Sequence, residues 1–542
     1  MQTLFNRWQD LVFRCLAVGV VAGLLGAPAP CVAGEADNDH PNIILILADD
    51  MGVGDVSGLN PEGKIPTPHL DRMIAEGMTF HDAHTSSAVC TPTRYSLLTG
   101  RYNWRNARKK GVARGFTPSE IEPGRQTLAH VLGQAGYRTA MIGKWHLGLD
   151  WVEDPTIKPA FATEYKWKKK TRKTPGAKVD FTKPFRGGPV DHGFDTFFGI
   201  AASLDMPPYV WLADDKATEV PTTLKAFSRK GPAAKSFEAV DVLPRLGSET
   251  VDYINKHARA AKKGKPFFVY VPLASPHTPI VPSASWKGRS AIKNKYADFT
   301  METDDMVGRV LKALKKNGIL DNTLVIFTTD NGCSPAAGFK KLVDKGHQPS
   351  WIYRGHKNDL YEGGHRVPTI MHWPAKIEAG RSTDQLIVQT DLFRTFADLV
   401  GQSVGDDAGE DSISFAPLLL GQAEDSARTG HVAHSFDCKL SVREGPWKLI
   451  VDPGSGGWTP LGMRFRGEKD KSEALDRSDV PPMGLYNVEQ DPGEYNNLLE
   501  QQPEIARDLI AQLKEIIADG RSTPGAPQAN NGEVPLSLPK GW

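Results

Sequence analysis

The chain has 542 residues, a formal net charge of +1, 40% hydrophobic residues and 24% charged residues. This length exceeds one small domain, and the composition is that of ordinary folded proteins, which excludes a largely disordered chain. The near-zero net charge argues against a general affinity for nucleic acids, so any attraction to an anionic ligand must come from local groups of charges.

Residues 1–33 have the pattern of a secretory signal peptide. Arg7 and Arg14 are basic, the stretch 16–25 is apolar but too short to span a bilayer as a helix, and small residues precede Ala33, where cleavage is predicted. We therefore predict export to the periplasm or the medium, without stable membrane insertion. An uncleaved membrane anchor and a lipoprotein attached through Cys31 are the alternatives.

The mature chain alternates apolar strands with helical patterns. Strands are predicted at 42–47, 139–142, 267–273 and 324–329, and helices are predicted to begin near Pro68 and Leu128, at 302–316, and after Thr390-Asp391. Continuous apolar runs of this length fit strands that are buried on both faces. The alternation predicts an α/β fold with a largely parallel sheet.

Each of these strands runs into polar residues. They are Asp49-Asp50, Gly143-Lys144-Trp145-His146, Ser275-Pro276-His277 and Asp330-Asn331-Gly332. Ligands of open α/β sheets bind at the carboxyl ends of the strands. We therefore expect these distant segments to converge on one site.

From about residue 431 the pattern changes to short strands and turns. A final helix at 503–517 precedes a tail rich in Pro, Gly and Asn, which we expect to be an irregular strap or disordered. The predicted organisation is a signal peptide at 1–33, a catalytic domain at 34–430 and a smaller α+β domain on an antiparallel sheet at 431–542.

Three cysteines remain after removal of the signal peptide, which is too few for a disulfide framework. Cys333 and Cys438 could pair or stay free. Asp49-Asp50 and Asp330-Asn331 offer carboxylate and amide oxygens, which suit Ca²⁺ or Mg²⁺ better than Zn²⁺. Taken alone, either pair could equally be a turn or a helix cap.

The run Cys90-Thr91-Pro92-Thr93-Arg94-Tyr95-Ser96-Leu97-Leu98-Thr99-Gly100 resembles the signature of the type I sulfatases. Gly136 to His146 resembles the second signature of that family, and 353–364 resembles its lysine-bearing segment. The segments 191–195, 485–487 and 491–494 are also similar to the family, so the resemblance covers most of the mature chain. It points to sulfatases of the arylsulfatase and N-acetylgalactosamine-6-sulfatase type.

This resemblance implies an alkaline-phosphatase-like fold, with a mostly parallel sheet flanked by helices. It also implies that a maturation enzyme oxidises Cys90 to formylglycine, whose hydrate is the nucleophile. The implied ligands of one Ca²⁺ are Asp49, Asp50, Asp330, Asn331 and an oxygen of modified Cys90. The other implied roles are holding the hydrate (Arg94, Lys144), accepting its proton (His146) and contacting the sulfate and its leaving oxygen (His277, Lys357).

The implied reaction is hydrolysis of sulfate monoesters, and analogy favours sulfated carbohydrates as substrates. The alternatives are a phosphomonoester or phosphonate monoester hydrolase of the same superfamily and a non-catalytic carbohydrate-binding relative. The basic run around Lys168 is either a solvated loop or a docking strip for a sulfated polymer. The segment 205–211 could line the substrate cleft, or its aromatic residues could belong to the core.

Overall fold

The computed structural model describes residues 40–168, 170–459 and 481–542. The predicted signal peptide, with Cys15 and Cys31, lies outside these ranges. The strands are β1 Asn42–Ala48, β2 Met78–Phe80, β3 Ala83–His84, β4 Arg138–Lys144, β5 Glu164–Trp167, β6 Lys170–Lys173, β7 Thr196–Ile200, β8 Leu212–Ala213, β9 Lys216–Ala217, β10 Thr223–Ala226, β11 Lys230–Ala233, β12 Phe267–Pro272, β13 Thr323–Thr329, β14 Thr369–His372, β15 Arg381–Thr383, β16 Ile387–Val388, β17 Gly430–His434, β18 Leu440–Glu444, β19 Trp447–Ile450 and β20 Gly484–Asn487.

The helices alternate with the strands of the first part of the chain. They are α1 Pro68–Glu76, α2 Cys90–Thr99, α3 Leu128–Gln134, α4 Val242–Ala261, α5 Lys295–Lys316, α6 Phe339–Val343, α7 Glu362–His365, α8 Leu392–Leu399, α9 Ala416–Leu419 and α10 Pro503–Ala518.

The main sheet has ten strands in the order β15-β2-β14-β13-β1-β12-β4-β7-β8-β9. Its centre, from β13 to β7, is parallel, whereas β14 and β8 join it in antiparallel register. Every residue of β1 is buried, as expected for a strand covered on both faces. Helices α1 and α4 pack on α5, and α2 and α3 pack on α8. This mostly parallel sheet flanked by helices confirms the predicted fold class.

Helix α5 begins well before the predicted start at residue 302. The side chain of Asn294 accepts hydrogen bonds from the backbone N–H groups of Tyr296 and Ala297, so it caps a helix that starts at Lys295. The apolar periodicity becomes regular only later in the helix, which explains the late predicted start.

A smaller antiparallel sheet, β17-β18-β19-β20, follows the main one, and α10 packs against it. The chain after α10 forms an irregular strap, and the backbone N–H of Asn531 donates to the Arg105 carbonyl at 2.7 Å. Cys333 and Cys438 are buried and free. Within the described ranges, no helix has the length and apolar character needed to cross a membrane.

Strand β17 carries His434, a buried histidine whose ring nitrogens have no hydrogen-bond partner in the described part of the chain. Burial lowers its pKa from 6.5 to about 3. The unfolded chain therefore binds this proton near pH 6.5, whereas the folded protein does not, so folding loses stability as the pH falls through this interval. The loss is at most about 1.4 kcal/mol per pH unit for this group.

We therefore expect the melting temperature to fall as the pH is lowered from 6.5, and to fall less steeply for His434→Gln, which cannot be protonated there. Thermal melts across this pH range measure the difference. Buried His84, His365 and His431 also have lowered pKa values and leave a residual slope. Identical slopes in both proteins would show that His434 does not contribute.

Candidate active site

The carboxyl ends of parallel strands β1, β4, β12 and β13 bring the predicted polar segments together. Asp49 and Asp50 follow β1, and Asp330 and Asn331 follow β13, its neighbour in the sheet. The backbone N–H of Asp50 donates to Asp330 Oδ1 at 3.3 Å, and Asn331 Nδ2 donates to Asp50 Oδ1 at 2.8 Å. The two acidic pairs are therefore parts of one buried cluster.

Three oxygens of this cluster have no hydrogen-bond partner among the described residues, and all are buried. They are Asp49 Oδ1, Asp50 Oδ2 and Asn331 Oδ1. Unpartnered buried oxygens are costly unless a cation or another donor reaches them. An all-oxygen set of this kind fits a hard divalent cation such as Ca²⁺ or Mg²⁺. The donor atoms therefore fit the metal that the sequence resemblance implies.

The cluster also shows charge crowding. Burial and the nearby Asp49 carboxylate raise the pKa of Asp330 to about 7, against the opposing effect of Arg94. Burial also disfavours the charge on Asp49, but Lys144, His277 and Arg94 together hold its pKa well below the ordinary value. The three carboxylates of the cluster face three buried cations, Arg94, Lys144 and Lys357. The opposite pKa shifts of Asp49 and Asp330 reflect how close these two acidic groups lie to each other.

Cys90 is the first residue of α2, directly after the extended N-cap residue Val89. It is 2% exposed, and burial raises the pKa of its thiol although Lys144 and Lys357 oppose the rise. An unmodified Cys90 is therefore a neutral thiol and a weak nucleophile. Its position one turn before Arg94 places both side chains on the same face of α2.

Arg94 joins α2 to the acidic cluster. Its guanidinium donates to Asp330 Oδ2 at 2.7 and 3.1 Å and to the Lys144 carbonyl at 3.1 Å. The ammonium group of Lys144 in turn contacts the Asp49 carboxylate. Both cations are fully buried, so they lie within the cluster rather than on the open surface.

His146 has a left-handed backbone, with φ of 60°, which is uncommon for a residue with a side chain. Thr91 Oγ1 donates to its carbonyl at 2.9 Å, which ties this turn to the Cys90 segment. Neither ring nitrogen has a partner in the described ranges, and burial, together with Lys144 and Arg94, holds the pKa of His146 well below 6.5. The imidazole is therefore neutral, and its unprotonated nitrogen makes no hydrogen bond to the described residues.

His277 adjoins the acidic cluster next to Asp50. Its Nδ1 is 2.6 Å from the Thr278 carbonyl, which accepts a hydrogen bond from that nitrogen, and its Nε2 is 3.5 Å from Asp50 Oδ2. Ser203 Oγ is 3.1 Å from His277 Nδ1 and 3.4 Å from Lys144 Nζ. Our sequence reasoning missed Ser203, although it comes shortly after β7, another strand of the same sheet.

Lys357 reaches the cluster from a loop. Its Nζ donates to Asp50 Oδ1 at 2.5 Å; burial opposes the charge, but Asp50 raises the pKa of Lys357 overall. Hydrogen bonds from the Lys357 N–H to the Cys333 carbonyl and from the Asn358 N–H to the Ala88 carbonyl hold this loop beside the segments that contain Asn331 and Cys90.

Gly332 permits the close packing that this loop needs. A Cβ on Gly332 would lie 1.9 Å from the Gly363 carbonyl oxygen, and the Gly332 N–H donates to the Gly364 carbonyl at 3.0 Å. Glycine is therefore required at position 332 by the close approach of these two backbone segments.

A cavity of about 1120 Å³ opens onto this cluster and is lined by Cys90, His146, His277 and Lys357. Its wall also carries six further basic side chains. They are Arg108, Lys110, Arg114, Arg229, Lys340 and Lys341. Such a cavity suits an anionic substrate.

The segment 205–211 contributes to the cavity only in part. Asp205 and Met206 line it, whereas Trp211 stacks on Phe198 with ring centroids 5.1 Å apart and Tyr209 is buried in the core. Its aromatic residues therefore serve packing.

The chain is similar in sequence and fold to known proteins of one family. The family model described as Sulfatase matches residues 41–402. The N-acetylgalactosamine-6-O-sulfatase of Bacteroides thetaiotaomicron is 30% identical over 521 residues, covering 89% of this chain and 94% of the relative. The mouse N-acetylgalactosamine-6-sulfatase is 29% identical over 547 residues, covering 96% and 92%. A solved structure from work on glycosaminoglycan metabolism by Bacteroides thetaiotaomicron has a TM-score of 0.72 at 28% identity and covers 88% of this chain and 99% of its own.

Proposed function

Because the chain belongs to the sulfatase family and is therefore a sulfuric ester hydrolase, we propose that it removes sulfate from sulfated carbohydrates with a formylglycine made from Cys90. The observation that carries this proposal is the position of Cys90. It opens a helix beside an acidic cluster that has unpartnered oxygens, within a basic cavity. The names of the relatives support a sulfated sugar as the substrate.

We assign the metal site to Asp49, Asp50, Asp330 and Asn331, with an oxygen of modified Cys90 completing the set. One Ca²⁺ held there would neutralise charge on the sulfate oxygens. Support comes from the three unpartnered oxygens and from the absence of thiolate from the set.

The hydrated aldehyde supplies one hydroxyl for attack at sulfur and a second hydroxyl whose deprotonation allows sulfate to leave. In our assignment Arg94 and Lys144 orient this group, because Arg94 shares a helix face with Cys90 and both cations are fixed by carboxylates. His146 accepts the proton of the second hydroxyl through an unpartnered ring nitrogen. Its lowered pKa keeps the imidazole in the neutral form that this step requires.

His277 and Lys357 act on the substrate in this proposal. The Thr278 carbonyl accepts a hydrogen bond from Nδ1 and leaves Nε2 of His277 facing the cluster. In the imidazolium form, which carries a proton on both nitrogens, Nε2 can donate its proton to the departing alcohol oxygen and leave the neutral ring. Lys357 contributes positive charge toward the sulfate oxygens. Ser203, which lies between Lys144 and His277, positions both side chains.

Two further steps precede activity in this proposal. Residues 1–33 direct export, and a formylglycine-generating enzyme oxidises Cys90. Since Cys90 is 2% exposed in the fold, we place that oxidation before the chain has folded around Cys90.

The test is a panel of defined esters assayed with enzyme of known Cys90 modification. We expect inorganic sulfate to be released from sulfated N-acetylgalactosamine substrates with a kcat/KM at least about 10²-fold above that for the matching phosphate and phosphonate monoesters. Preferential turnover of the phosphorus esters would identify the alternative hydrolase of this superfamily. Binding of sulfated sugars without turnover would instead indicate a carbohydrate-binding relative.

A further inference from the structure

A second cavity of about 470 Å³ continues from the active-site cavity. The two share Arg114, Thr117, Met206 and Arg229 as a common wall. On its far side lies the hairpin of β5 and β6, which carries the basic run around Lys168. We call this second cavity the hairpin groove. It offers space for a part of the substrate that lies beyond the reacting sulfate.

The hairpin groove is strongly basic. Among the described residues that line it there are four cationic side chains and no carboxylate, the cations being Arg114, Arg172, Arg229 and Lys230. Arg229 is paired with Asp205, but in the described ranges no carboxylate forms an ion pair with the other three. Like charges that converge on a concave surface repel one another unless an anion lies between them.

The hairpin presents one of its faces to the groove. Tyr165 and Arg172 are direct cross-strand partners, and both line the groove. Lys230 Nζ lies 5.6 Å from the centroid of the Tyr165 ring. The Tyr165 ring therefore lies next to two cationic residues, Lys230 and Arg172. Lys173, the next residue along β6, lies opposite Glu164 in the strand register and lines neither cavity. Tyr165 and Arg172 therefore share the face of the hairpin that lines the groove, although all four residues of β6 are exposed.

We propose that the hairpin groove binds a second anionic group, a sulfate or a carboxylate, on a sugar adjacent to the one that carries the reacting sulfate. The enzyme would therefore prefer anionic oligosaccharides to sulfated monosaccharides. This inference rests on the proposed function, and it adds Arg172, Tyr165 and Lys230 as residues that determine specificity.

The experiment compares Arg172→Ala with Lys173→Ala, which removes the same charge from the next residue of the same strand. Substrates are an aryl sulfate, a sulfated N-acetylgalactosamine monosaccharide and a sulfated oligosaccharide containing uronic acid. For Arg172→Ala we expect KM for the oligosaccharide to rise about 10-fold at unchanged kcat, as for loss of one charged contact. Kinetics with the two small substrates should not change, and Lys173→Ala should match the wild-type protein with all three.

Two further oligosaccharides identify the anion, one with its carboxylates reduced to alcohols and one without the neighbouring sulfate. The modification that abolishes the effect of Arg172→Ala marks the group that is bound. The inference is wrong if neither modification matters, if both variants behave alike, or if the wild-type protein shows no oligosaccharide preference while it still hydrolyses aryl sulfate. If wild-type enzyme with oxidised Cys90 hydrolyses no sulfate ester at all, the proposed function itself is wrong.

Discussion

Replacing Cys90 with alanine is expected to lower kcat for sulfate esters by at least about 10⁴-fold, the scale of loss found when a catalytic nucleophile is removed. Alanine cannot become formylglycine, so the hydroxyl that attacks sulfur is missing, whereas the acidic cluster and the basic cavity remain. We therefore expect binding of sulfated ligands to persist in the variant. Initial rates and equilibrium binding of a sulfated sugar measure the two properties separately.

Cys438→Ala is the matched control for this experiment. Cys438 is also a buried free cysteine, but it lies in the core between the smaller sheet and α10. Its removal should leave kcat unchanged apart from a modest loss of stability. Turnover by Cys90→Ala at the wild-type rate would rule out the proposed nucleophile.

Replacing Asp330 with alanine should affect both activity and stability. Asp330 is the nearest carboxylate to buried Arg94, since Asp49 lies 3.8 Å from the same guanidinium nitrogen. Removing one partner of a buried ion pair costs about 3–5 kcal/mol, and the remaining 3.8 Å contact with Asp49 places the expected loss near the lower end of this range. The proposed metal site also loses a ligand, so Ca²⁺ should no longer raise the melting temperature of the variant as it does for the wild-type protein.

Asp411→Ala separates these two effects. Asp411 forms a comparably buried pair with Arg105, at 2.8 and 2.9 Å, away from the acidic cluster. It should therefore lose similar stability and yet keep the wild-type response to Ca²⁺. Melts of the three proteins with Ca²⁺ and with a chelator provide the comparison. An undiminished Ca²⁺ response in Asp330→Ala would contradict the metal assignment.

The fold and the acidic cluster could be predicted from the sequence because both depend on local patterns. The apolar run before Asp49 can be recognised as a doubly buried strand, and parallel strands place their ends at one edge of the sheet. The same reasoning predicts from the sequence alone that Asp330 lies close to Asp50. Clusters of polar side chains at strand ends can thus be predicted from the sequence pattern alone.

The remaining parts of the site depend on tertiary packing. Lys357 reaches the cluster from a loop with no periodic pattern, so only its similarity to a family segment pointed to it. Ser203 was missed because an isolated serine carries no signal until Lys144 and His277 are seen on either side of it. The β5–β6 hairpin escaped prediction because the exposed side chains of β6 show no apolar alternation.

Whether oxidised Cys90 is the nucleophile is tested most directly by the mass of the peptide that contains Cys90, measured alongside activity. Preparations made with and without a formylglycine-generating enzyme provide different degrees of modification. We predict that kcat rises in proportion to the fraction of Cys90 converted to the aldehyde and vanishes when only the thiol is present. Full turnover by a preparation in which every Cys90 remains a thiol would show that oxidised Cys90 is not the nucleophile.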